Sequence, residues 1–228
     1  MSKGAAPSGG RKLTVNVKTA RQRSPASAEW LRRQLNDPYV AAARQQGWRS
    51  RAAFKLLELD DRFHILRHGV RVLDLGAAPG GWTQVAVRRG AGTVVGVDLL
   101  PVDPIPGATL LLGDFNDPNT PARLAAALGG KADVVLSDMA PNTTGHAATD
   151  HLRIMALAEL AAAFAQEVLA PDGAFVAKVF QGGSERAMLS ALKQDFVSVR
   201  HAKPPASRKG SSELYVVAMG FRGVATAG

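Results

Sequence analysis

Short apolar runs alternate with amphipathic segments along most of the chain, and this pattern predicts alternating strands and helices. The predicted strands are Val70–Leu75, Thr93–Leu99, Ala108–Leu112, Ala132–Ser137, Ala174–Phe180, Phe196–His201 and Glu213–Phe221. The predicted helices are Glu29–Gln46 with a break at Asp37–Pro38, Ser50–Phe63, Trp82–Arg89, Thr120–Leu128, Asp150–Leu169 and Glu185–Lys193. Strands that alternate with helices indicate an α/β fold whose mostly parallel sheet is covered on both faces.

The end of the chain departs from this alternation. Only the segment Ala202–Ser212 separates the last two predicted strands, and it contains no helical pattern. A connection without a crossover helix predicts a hairpin, so the final strand runs antiparallel to its neighbour. The sequence therefore predicts a seven-stranded, mostly parallel sheet that ends in an antiparallel strand.

Positive charge is concentrated at the amino-terminal end. The chain carries 28 Lys and Arg against 19 Asp and Glu, a net charge of +9. Residues 1–50 hold ten basic and two acidic residues, whereas residues 51–228 hold eighteen and seventeen. Residues 1–29 are rich in small and basic residues and predict a flexible basic arm. The arm precedes a single domain over residues 30–228, with amino-terminal helices over 30–69 and the sheet core over 70–222.

This asymmetry favours a polyanionic partner, with nucleic acid as the first candidate. The alternative is that the arm only increases solubility. The chain has no cysteine, which excludes disulfide scaffolds, thiolate metal sites and thiol nucleophiles. No apolar run is long enough to span a membrane, and residues 1–11 lack the apolar core of a secretory signal, so a cytoplasmic location is expected. The five histidines are scattered, and no metal site is expected.

Six charged side chains lie where the predicted strands meet one edge of the sheet. Ligands of such sheets bind beyond the carboxyl ends of the parallel strands. An antiparallel strand begins where its parallel neighbours end, so its first residue belongs to the same edge. The residues that converge there are Asp74, Asp98, Asp114, Asp138, Lys178 and Glu213.

A glycine-rich loop joins the first strand to the next helix. Gly76 and Gly80 let the backbone pass close to a ligand, and the helix start offers free N–H groups. Asp98, at the end of the second strand, can accept both hydroxyls of a ribose. Asp74 would repel a pyrophosphate and suits a cationic ligand, while Asp114 can hold an adenine amino group. S-adenosylmethionine satisfies all of these features; the alternative is that Asp74 and Asp114 only cap turns.

Lys178 stands alone among apolar residues of the fifth strand. A buried ammonium group is costly unless it is paired, and a lysine that loses hydration can act as a base. The alternative is a lysine that extends to solvent from an edge strand. Together with Lys55, Asp138 and Glu213, it forms a Lys-Asp-Lys-Glu set, called the tetrad below.

Seven motifs in this order resemble the FtsJ/RlmE family of ribosomal RNA ribose 2′-O-methyltransferases, over roughly residues 48–222. They are Ser50–Leu56, Asp74–Trp82, Asp98–Pro101, Gly113–Phe115, Ser137–Asn142, Lys178–Gly182 and Ser211–Ala218. The resemblance implies a Rossmann-like methyltransferase fold, S-adenosylmethionine as cofactor, and large-subunit 23S ribosomal RNA as substrate. It further implies that a uridine is modified in the assembled subunit.

The same resemblance carries roles over to single residues. The tetrad matches the family's catalytic set, with Lys178 as proton acceptor; the alternative is that the four side chains mainly orient the hydroxyl. The matching cofactor positions are Gly80, Trp82, Asp98, Asp114 and Asp138. Basic residues near the tetrad in the sequence are candidate RNA contacts, namely Arg49, Arg51, Arg200, Lys203, Arg208 and Lys209. A monomer is expected.

Three other functions remain open on the sequence. A methyltransferase that acts on transfer RNA or on a messenger cap can use the same tetrad. A non-catalytic RNA-binding factor on this scaffold is disfavoured because all four tetrad positions are filled. A small-molecule methyltransferase would leave the basic arm without a role.

Overall fold

The computed structural model describes residues 24–114, 117–141, 145–180, 186–208 and 210–223, together with residues 15, 16, 19 and 22. This part of the chain contains seven strands and seven helices. The strands are β1 (Arg71–Leu75), β2 (Thr93–Asp98), β3 (Thr109–Leu112), β4 (Ala132–Ser137), β5 (Leu169–Phe180), β6 (Phe196–Ala202) and β7 (Glu213–Phe221). The helices are α1 (Pro25–Leu35), α2 (Pro38–Gln45), α3 (Ala52–Phe63), α4 (Gly81–Arg88), α5 (Thr120–Leu128), α6 (Ala147–Val168) and α7 (Arg186–Asp195). No described helix combines the length and apolar character needed to cross a membrane.

The strands form one sheet in the order β3-β2-β1-β4-β5-β7-β6. Strands β1 to β5 are parallel, and β7 runs antiparallel to both β5 and β6. The predicted α/β fold and the predicted hairpin of the last two strands are confirmed. The structure adds that β7 lies inside the sheet, so its first residue, Glu213, meets the ends of the parallel strands. This edge is called the carboxyl edge below.

Apolar side chains cover both faces of the sheet. Helices α3 and α4 pack on one face through residues such as Leu56 and Val85. Helices α5, α6 and α7 pack on the other. Within β1, Val72 belongs to the first core and Leu73 to the second, because successive side chains of a strand point to opposite faces. By the same alternation Asp74, like Val72, points to the face under α3 and α4.

The first two helices begin at capping residues. Ser24 Oγ accepts the Ser27 N–H at 3.3 Å, so α1 begins at Pro25 instead of the predicted Glu29. Residues 25–29, which the sequence analysis assigns to the arm, therefore lie in a helix. The predicted break at Asp37–Pro38 is confirmed, because Asp37 caps α2 by accepting the Tyr39 N–H at 3.0 Å. Upstream, the Val15 backbone exchanges two hydrogen bonds with the Asn36 side chain, at 2.8 and 3.0 Å.

Strand β5 begins earlier than the sequence pattern predicts. It starts at Leu169, although Pro171-Asp172-Gly173 has the composition of a stop. Ala132 pairs with Leu169 and Val134 pairs with Ala174, so the extra residues are accommodated in a shift of register. Asp172 takes a left-handed conformation there, with φ of 64°. Regular pairing with β4 resumes at Ala174, where the strand was predicted to begin.

A cavity of about 310 Å³ lies under α5 and α6. Leu73, Leu124, Leu128 and Phe164 contribute to its walls. These residues belong to the core on the far side of the sheet from α3 and α4. None of the predicted site residues lines this cavity.

Candidate active site

The four tetrad side chains meet at the carboxyl edge as two ion pairs. Lys55 Nζ lies 2.8 Å from Glu213 Oε2, and Lys178 Nζ lies 2.7 Å from Asp138 Oδ1. Both lysines are buried, with exposed fractions of 6% for Lys55 and 8% for Lys178. Lys178 lies in β5, an interior strand of the sheet, so the alternative of a lysine on an edge strand is wrong.

Tyr215 joins the two ion pairs, and the sequence analysis did not identify it. Its hydroxyl accepts a hydrogen bond from Lys55 Nζ at 3.1 Å and donates one to Asp138 Oδ1 at 2.7 Å. Tyr215 is fully buried and pairs with Lys178 across the β5–β7 ladder. The sequence did contain a signal for Tyr215: it lies two residues after Glu213 on the same strand, so the two side chains share one face of the sheet.

The charges around Tyr215 and Asp138 have opposite effects on their acidity. Burial and the nearby carboxylates of Asp138 and Glu213 raise the pKa of Tyr215 well above its ordinary value, so its hydroxyl keeps its proton. Burial alone would raise the pKa of Asp138, but the ammonium groups of Lys178 and Lys55 hold it below its ordinary value. Asp138 is therefore a carboxylate at neutral pH. Its backbone carbonyl also accepts a hydrogen bond from Lys178 Nζ at 2.9 Å.

Ser207 holds the outer end of the tetrad. Its buried hydroxyl donates to Glu213 Oε1 at 2.8 Å, while Oε2 of the same carboxylate faces Lys55. The connection that carries Ser207 is anchored to α3, because Glu58 Oε2 accepts the Ala206 N–H at 2.7 Å. The sequence analysis missed Ser207, since only the folded connection brings it back to Glu213.

The glycine loop, residues 76–80, passes the tetrad at close range. A Cβ on Gly76 would lie 2.6 Å from Met139 Cγ, next to Asp138, and Gly76 has a left-handed φ of 79°. Asp98 ties this loop to β2, because its two carboxylate oxygens accept the Ala78 N–H at 2.9 Å and the Leu100 N–H at 2.8 Å. The loop ends at Gly80, which precedes α4 and provides no side-chain cap for its free N–H groups.

Asp74 is a fully buried carboxylate beneath this loop. Its Oδ2 accepts a hydrogen bond from the Thr83 hydroxyl at 2.6 Å. Its Oδ1 is buried and has no hydrogen-bond partner among the described residues. Burial, opposed by the Thr83 hydrogen bond and reinforced by Asp138 and Asp98, raises the pKa of Asp74 to about 7. A buried, unpartnered acceptor at this position fits a cationic donor from a ligand.

The other predicted cofactor residues differ in their exposure. Trp82 is 2% exposed, donates its indole N–H to the Ala52 carbonyl at 2.8 Å and packs against Tyr215 with ring centroids 5.6 Å apart. Asp114 is exposed just beyond β3. Near these strand ends, Leu99 and Leu112 are 66% and 58% exposed, and neither was among the cofactor residues predicted from the sequence. Contacts of all these residues with a cofactor stay predictions.

The predicted RNA contacts do not form one uniform patch. Arg51 Nε is paired with Asp37 at 2.9 Å, and Arg208 approaches the same carboxylate at 3.7 Å. Arg200 and Lys203 are exposed on β6 and just beyond it, with Lys203 Nζ donating to the Ser211 carbonyl at 2.6 Å. The Arg49 guanidinium is directed toward backbone carbonyls. Lys209 lies outside the described residues.

The doubly wound sheet, the glycine loop after β1 and the paired lysines and carboxylates define an α/β methyltransferase. Residues 48–221 match the model of the FtsJ-like methyltransferase family, and the chain belongs to this family. The predicted fold and the family resemblance are thus confirmed. No group of three or more His, Asp or Glu side chains among the described residues is arranged to hold a metal ion.

Relatives with high identity carry the name ribosomal RNA large subunit methyltransferase E. That of Granulibacter bethesdensis is 72% identical over 216 residues, which cover 95% of this chain and 94% of the relative. That of Gluconobacter oxydans is 68% identical over 212 residues, which cover 93% of this chain and 79% of the relative. A crystal structure from Plasmodium falciparum, assigned as a ribosomal RNA methyltransferase, is 30% identical with a TM-score of 0.70, covering 78% of this chain and 100% of its own.

Asp74 predicts a pH dependence of stability in the protein without cofactor. Its folded-state pKa of about 7 lies above the ordinary value of 3.8, so the folded state holds the proton more tightly than the unfolded state. Between these two pKa values, 3.8 and about 7, the contribution of Asp74 to the free energy of unfolding therefore falls as pH rises, by up to about 1.4 kcal/mol per pH unit. The free energy of unfolding of Asp74→Asn minus that of wild type is therefore expected to be larger at pH 8 than at pH 5.

Urea unfolding of wild type and Asp74→Asn between pH 5 and pH 8 measures this difference. Asp61→Asn is the matched control, because the Asp61 side chain is 54% exposed. If the stability difference between wild type and Asp74→Asn is the same at both pH values, Asp74 is already ionised in the folded protein.

Proposed function

We propose that this protein transfers a methyl group from S-adenosylmethionine to a ribose 2′-hydroxyl, that of a uridine, in large-subunit 23S ribosomal RNA. The observation that carries the chemistry is the pair of buried lysine–carboxylate contacts, 2.7 and 2.8 Å long, beside the glycine loop. The names of the relatives support the choice of substrate. The basic amino-terminal residues support a polyanionic partner.

The residues around the glycine loop fit S-adenosylmethionine. The unpartnered Asp74 Oδ1 suits the ammonium group of the methionine moiety. The uncapped start of α4 offers N–H groups to a carboxylate, as helix amino termini do. Asp98 would hold the ribose hydroxyls, and Asp114, Leu99 and Leu112 would border the adenine. When bound, the cofactor would supply a methyl group on a sulfonium, whose carbon an oxygen nucleophile can attack in line while the sulfur leaves as a neutral thioether.

The tetrad aligns the hydroxyl and removes its proton. To act as the base, Lys178 would first lose its own ammonium proton to solvent, and its neutral amine would then accept the proton of the hydroxyl as that oxygen takes the methyl group. Asp138 holds Lys178 in place through a carboxylate oxygen at 2.7 Å and its backbone carbonyl at 2.9 Å. Lys55 supplies a second positive charge, which stabilises the negative charge that develops on the oxygen. Tyr215 fixes the distance between the two pairs.

Lys178→Ala is expected to abolish methyl transfer and to leave S-adenosylhomocysteine binding within a few-fold of wild type. Tritium transfer to large ribosomal subunits measures the reaction, and calorimetric titration measures binding. Lys193→Ala, which removes an exposed lysine on α7, is the control and should behave as wild type. Turnover at the wild-type rate in Lys178→Ala would refute the assignment of the base.

Lys178→Arg separates proton acceptance from orientation. Arginine retains the positive charge but does not give up its proton near neutral pH. If Lys178 is the base, this variant should be as inactive as Lys178→Ala. Substantial activity in Lys178→Arg would instead favour the alternative in which the tetrad mainly orients the hydroxyl.

Tyr215→Phe removes the hydrogen bonds of the hydroxyl with Lys55 and Asp138. It is expected to slow methyl transfer about tenfold, which corresponds to a net loss of roughly 1.4 kcal/mol. Single-turnover kinetics at saturating substrate measure the effect. Tyr39→Phe is the matched control, since its hydroxyl is bonded to Glu58 at 3.2 Å instead of to the tetrad. Equal rates in the two variants would show that the Tyr215 hydroxyl does not organise the ion pairs.

Deletion of residues 1–23 tests the basic arm without removing the Ser24 cap of α1. This segment holds Lys3, Arg11, Lys12, Lys18, Arg21 and Arg23 and no acidic residue. We expect weaker binding to the ribosomal subunit, with a smaller dependence of affinity on salt and an unchanged rate at saturating substrate. A full-length variant with these six residues changed to Gln separates charge from chain length. Unaltered affinity and salt dependence in both would show that the arm only increases solubility.

Comparison of methyl acceptors tests the substrate. Whole large subunits are expected to accept methyl groups better than free ribosomal RNA, and transfer RNA and capped messenger RNA are expected to accept none. Mapping the modified nucleotide in cells with and without the protein identifies the ribose. Absence of any ribosomal methylation difference would overturn the proposed substrate. We further propose that the protein acts in the cytoplasm, as a monomer.

A further inference from the structure

We propose that Arg49 is a positioning residue that sets the shape of the glycine loop and thereby the affinity for the cofactor. This inference rests on the proposed function, because it assigns the loop to S-adenosylmethionine. It replaces the expectation that Arg49 contacts RNA.

The Arg49 guanidinium bridges two segments that flank the cofactor side of the sheet. Nη1 donates to the Pro79 carbonyl of the glycine loop at 3.4 Å and to the Asp103 carbonyl at 2.5 Å. Nη2 donates to the Pro104 carbonyl at 2.7 Å. Asp103 and Pro104 lie in the connection that follows Asp98. One side chain therefore joins the loop before α4 to the segment that leaves β2.

The position of Arg49 is itself constrained. Its backbone N–H donates to Gln84 Oε1 of α4 at 2.8 Å, and Gln84 Nε2 donates back to the Gly47 carbonyl at 3.3 Å. The base of the side chain is thus fixed to the same helix that the glycine loop precedes. The stem then reaches past the start of that helix to the loop.

Packing at Gly80 shows how closely the arginine follows the loop. A Cβ on Gly80 would lie 3.1 Å from Arg49 Cδ and 2.7 Å from Ile105 Cδ1. Gly80 also has a φ of 105°, which side chains other than glycine rarely adopt. The arginine stem and Ile105 therefore fill the space on the outer side of Gly80.

Two side chains, from opposite sides of the loop, form hydrogen bonds with adjacent loop residues. Asp98 accepts the Ala78 N–H from the side of the sheet, and Arg49 donates to the Pro79 carbonyl from the opposite segment. The Arg49 guanidinium makes no ion pair within 4.0 Å among the described residues, so its donors serve backbone carbonyls. Lysine cannot replace this arrangement fully, because a single ammonium group cannot reach three carbonyls with the planar geometry of a guanidinium.

The arginine also lies in the segment that leads into α3, the helix that carries Lys55. The ion pairs of the tetrad nevertheless do not involve Arg49. Loss of the Arg49 contacts should therefore affect the glycine loop more than the tetrad. An RNA contact would have the opposite signature. It would change the affinity for the ribosomal subunit and leave cofactor binding alone.

The test uses the full-length protein and the variants Arg49→Gln, Arg49→Lys and Arg44→Gln. Arg44 lies exposed on α2, and its side chain makes no hydrogen bond or ion pair with a described residue, so Arg44→Gln removes the same charge from the neighbouring surface. Calorimetric titration gives the Kd for S-adenosylhomocysteine, and steady-state kinetics give kcat and the KM for each substrate. Thermal unfolding shows whether each variant is folded.

Arg49→Gln is expected to weaken S-adenosylhomocysteine binding about tenfold and to raise the KM for S-adenosylmethionine similarly, as the loss of three charge-assisted hydrogen bonds predicts. Its kcat and its KM for ribosomal subunits should stay near those of wild type. Arg49→Lys should recover part of the affinity, and Arg44→Gln should bind the cofactor as wild type does.

The outcomes distinguish this inference from the proposed function. If folded Arg49→Gln binds S-adenosylhomocysteine as wild type does but has a raised KM for subunits, Arg49 is an RNA contact and the inference is overturned. If Arg49→Gln fails to fold, the affinity of Arg49→Lys decides, and an affinity equal to wild type overturns the inference. If wild type itself does not bind S-adenosylhomocysteine, the proposed function fails instead.

Discussion

The pairing of two buried lysines with two carboxylates is the interaction on which the site depends. An unpaired ammonium group at 6% or 8% exposure would be strongly destabilising, and removing one partner of such a pair typically costs about 3–5 kcal/mol. The partners come from α3, the end of β4, β5 and the start of β7. The pairs therefore form only when the sheet, its antiparallel strand and α3 are assembled. Tyr215 makes the two pairs one network, because its hydroxyl contacts a member of each.

The region around the glycine loop lies on the same face of the sheet as the tetrad. Asp74 lies beneath the glycine loop on the face that α3 and α4 cover, and Gly76 of the loop lies close to Met139, the residue that follows Asp138. Two carboxyl groups on this face therefore have pKa values shifted in opposite directions. Asp138 is ionised because two lysines face it, whereas Asp74 is buried without a cation and has a raised pKa. A cationic ligand would give Asp74 Oδ1 the partner that none of the described residues provides.

Much of the fold could be predicted from the periodicity of apolar residues. The strands Ala132–Ser137 and Glu213–Phe221 and the helix Thr120–Leu128 have the bounds that the pattern predicts. The predicted starts of α1 and β5 are wrong because local contacts there extend the helix and the strand beyond what the residue pattern indicates. The Ser24 cap starts α1 before its apolar pattern begins, and the register shift near Asp172 lets β5 continue through an apparent stop.

For the site, the sequence by itself determined which chemical groups are available and which edge of the sheet they share, because strand order along the chain and side-chain alternation are local properties. It thereby identified Asp138, Lys178, Glu213, Asp74 and the glycine loop, whereas Lys55, which lies on a helix, takes its role from the family resemblance. Only the tertiary structure decided their partners, since Lys55 and Glu213 are 158 residues apart and meet through packing alone. The same holds for Ser207, which reaches Glu213 through a folded connection. Arg49 shows the difference most clearly: its sequence context suggests a basic surface residue, whereas the fold directs its guanidinium to three carbonyls, one in the glycine loop and two in the segment after β2.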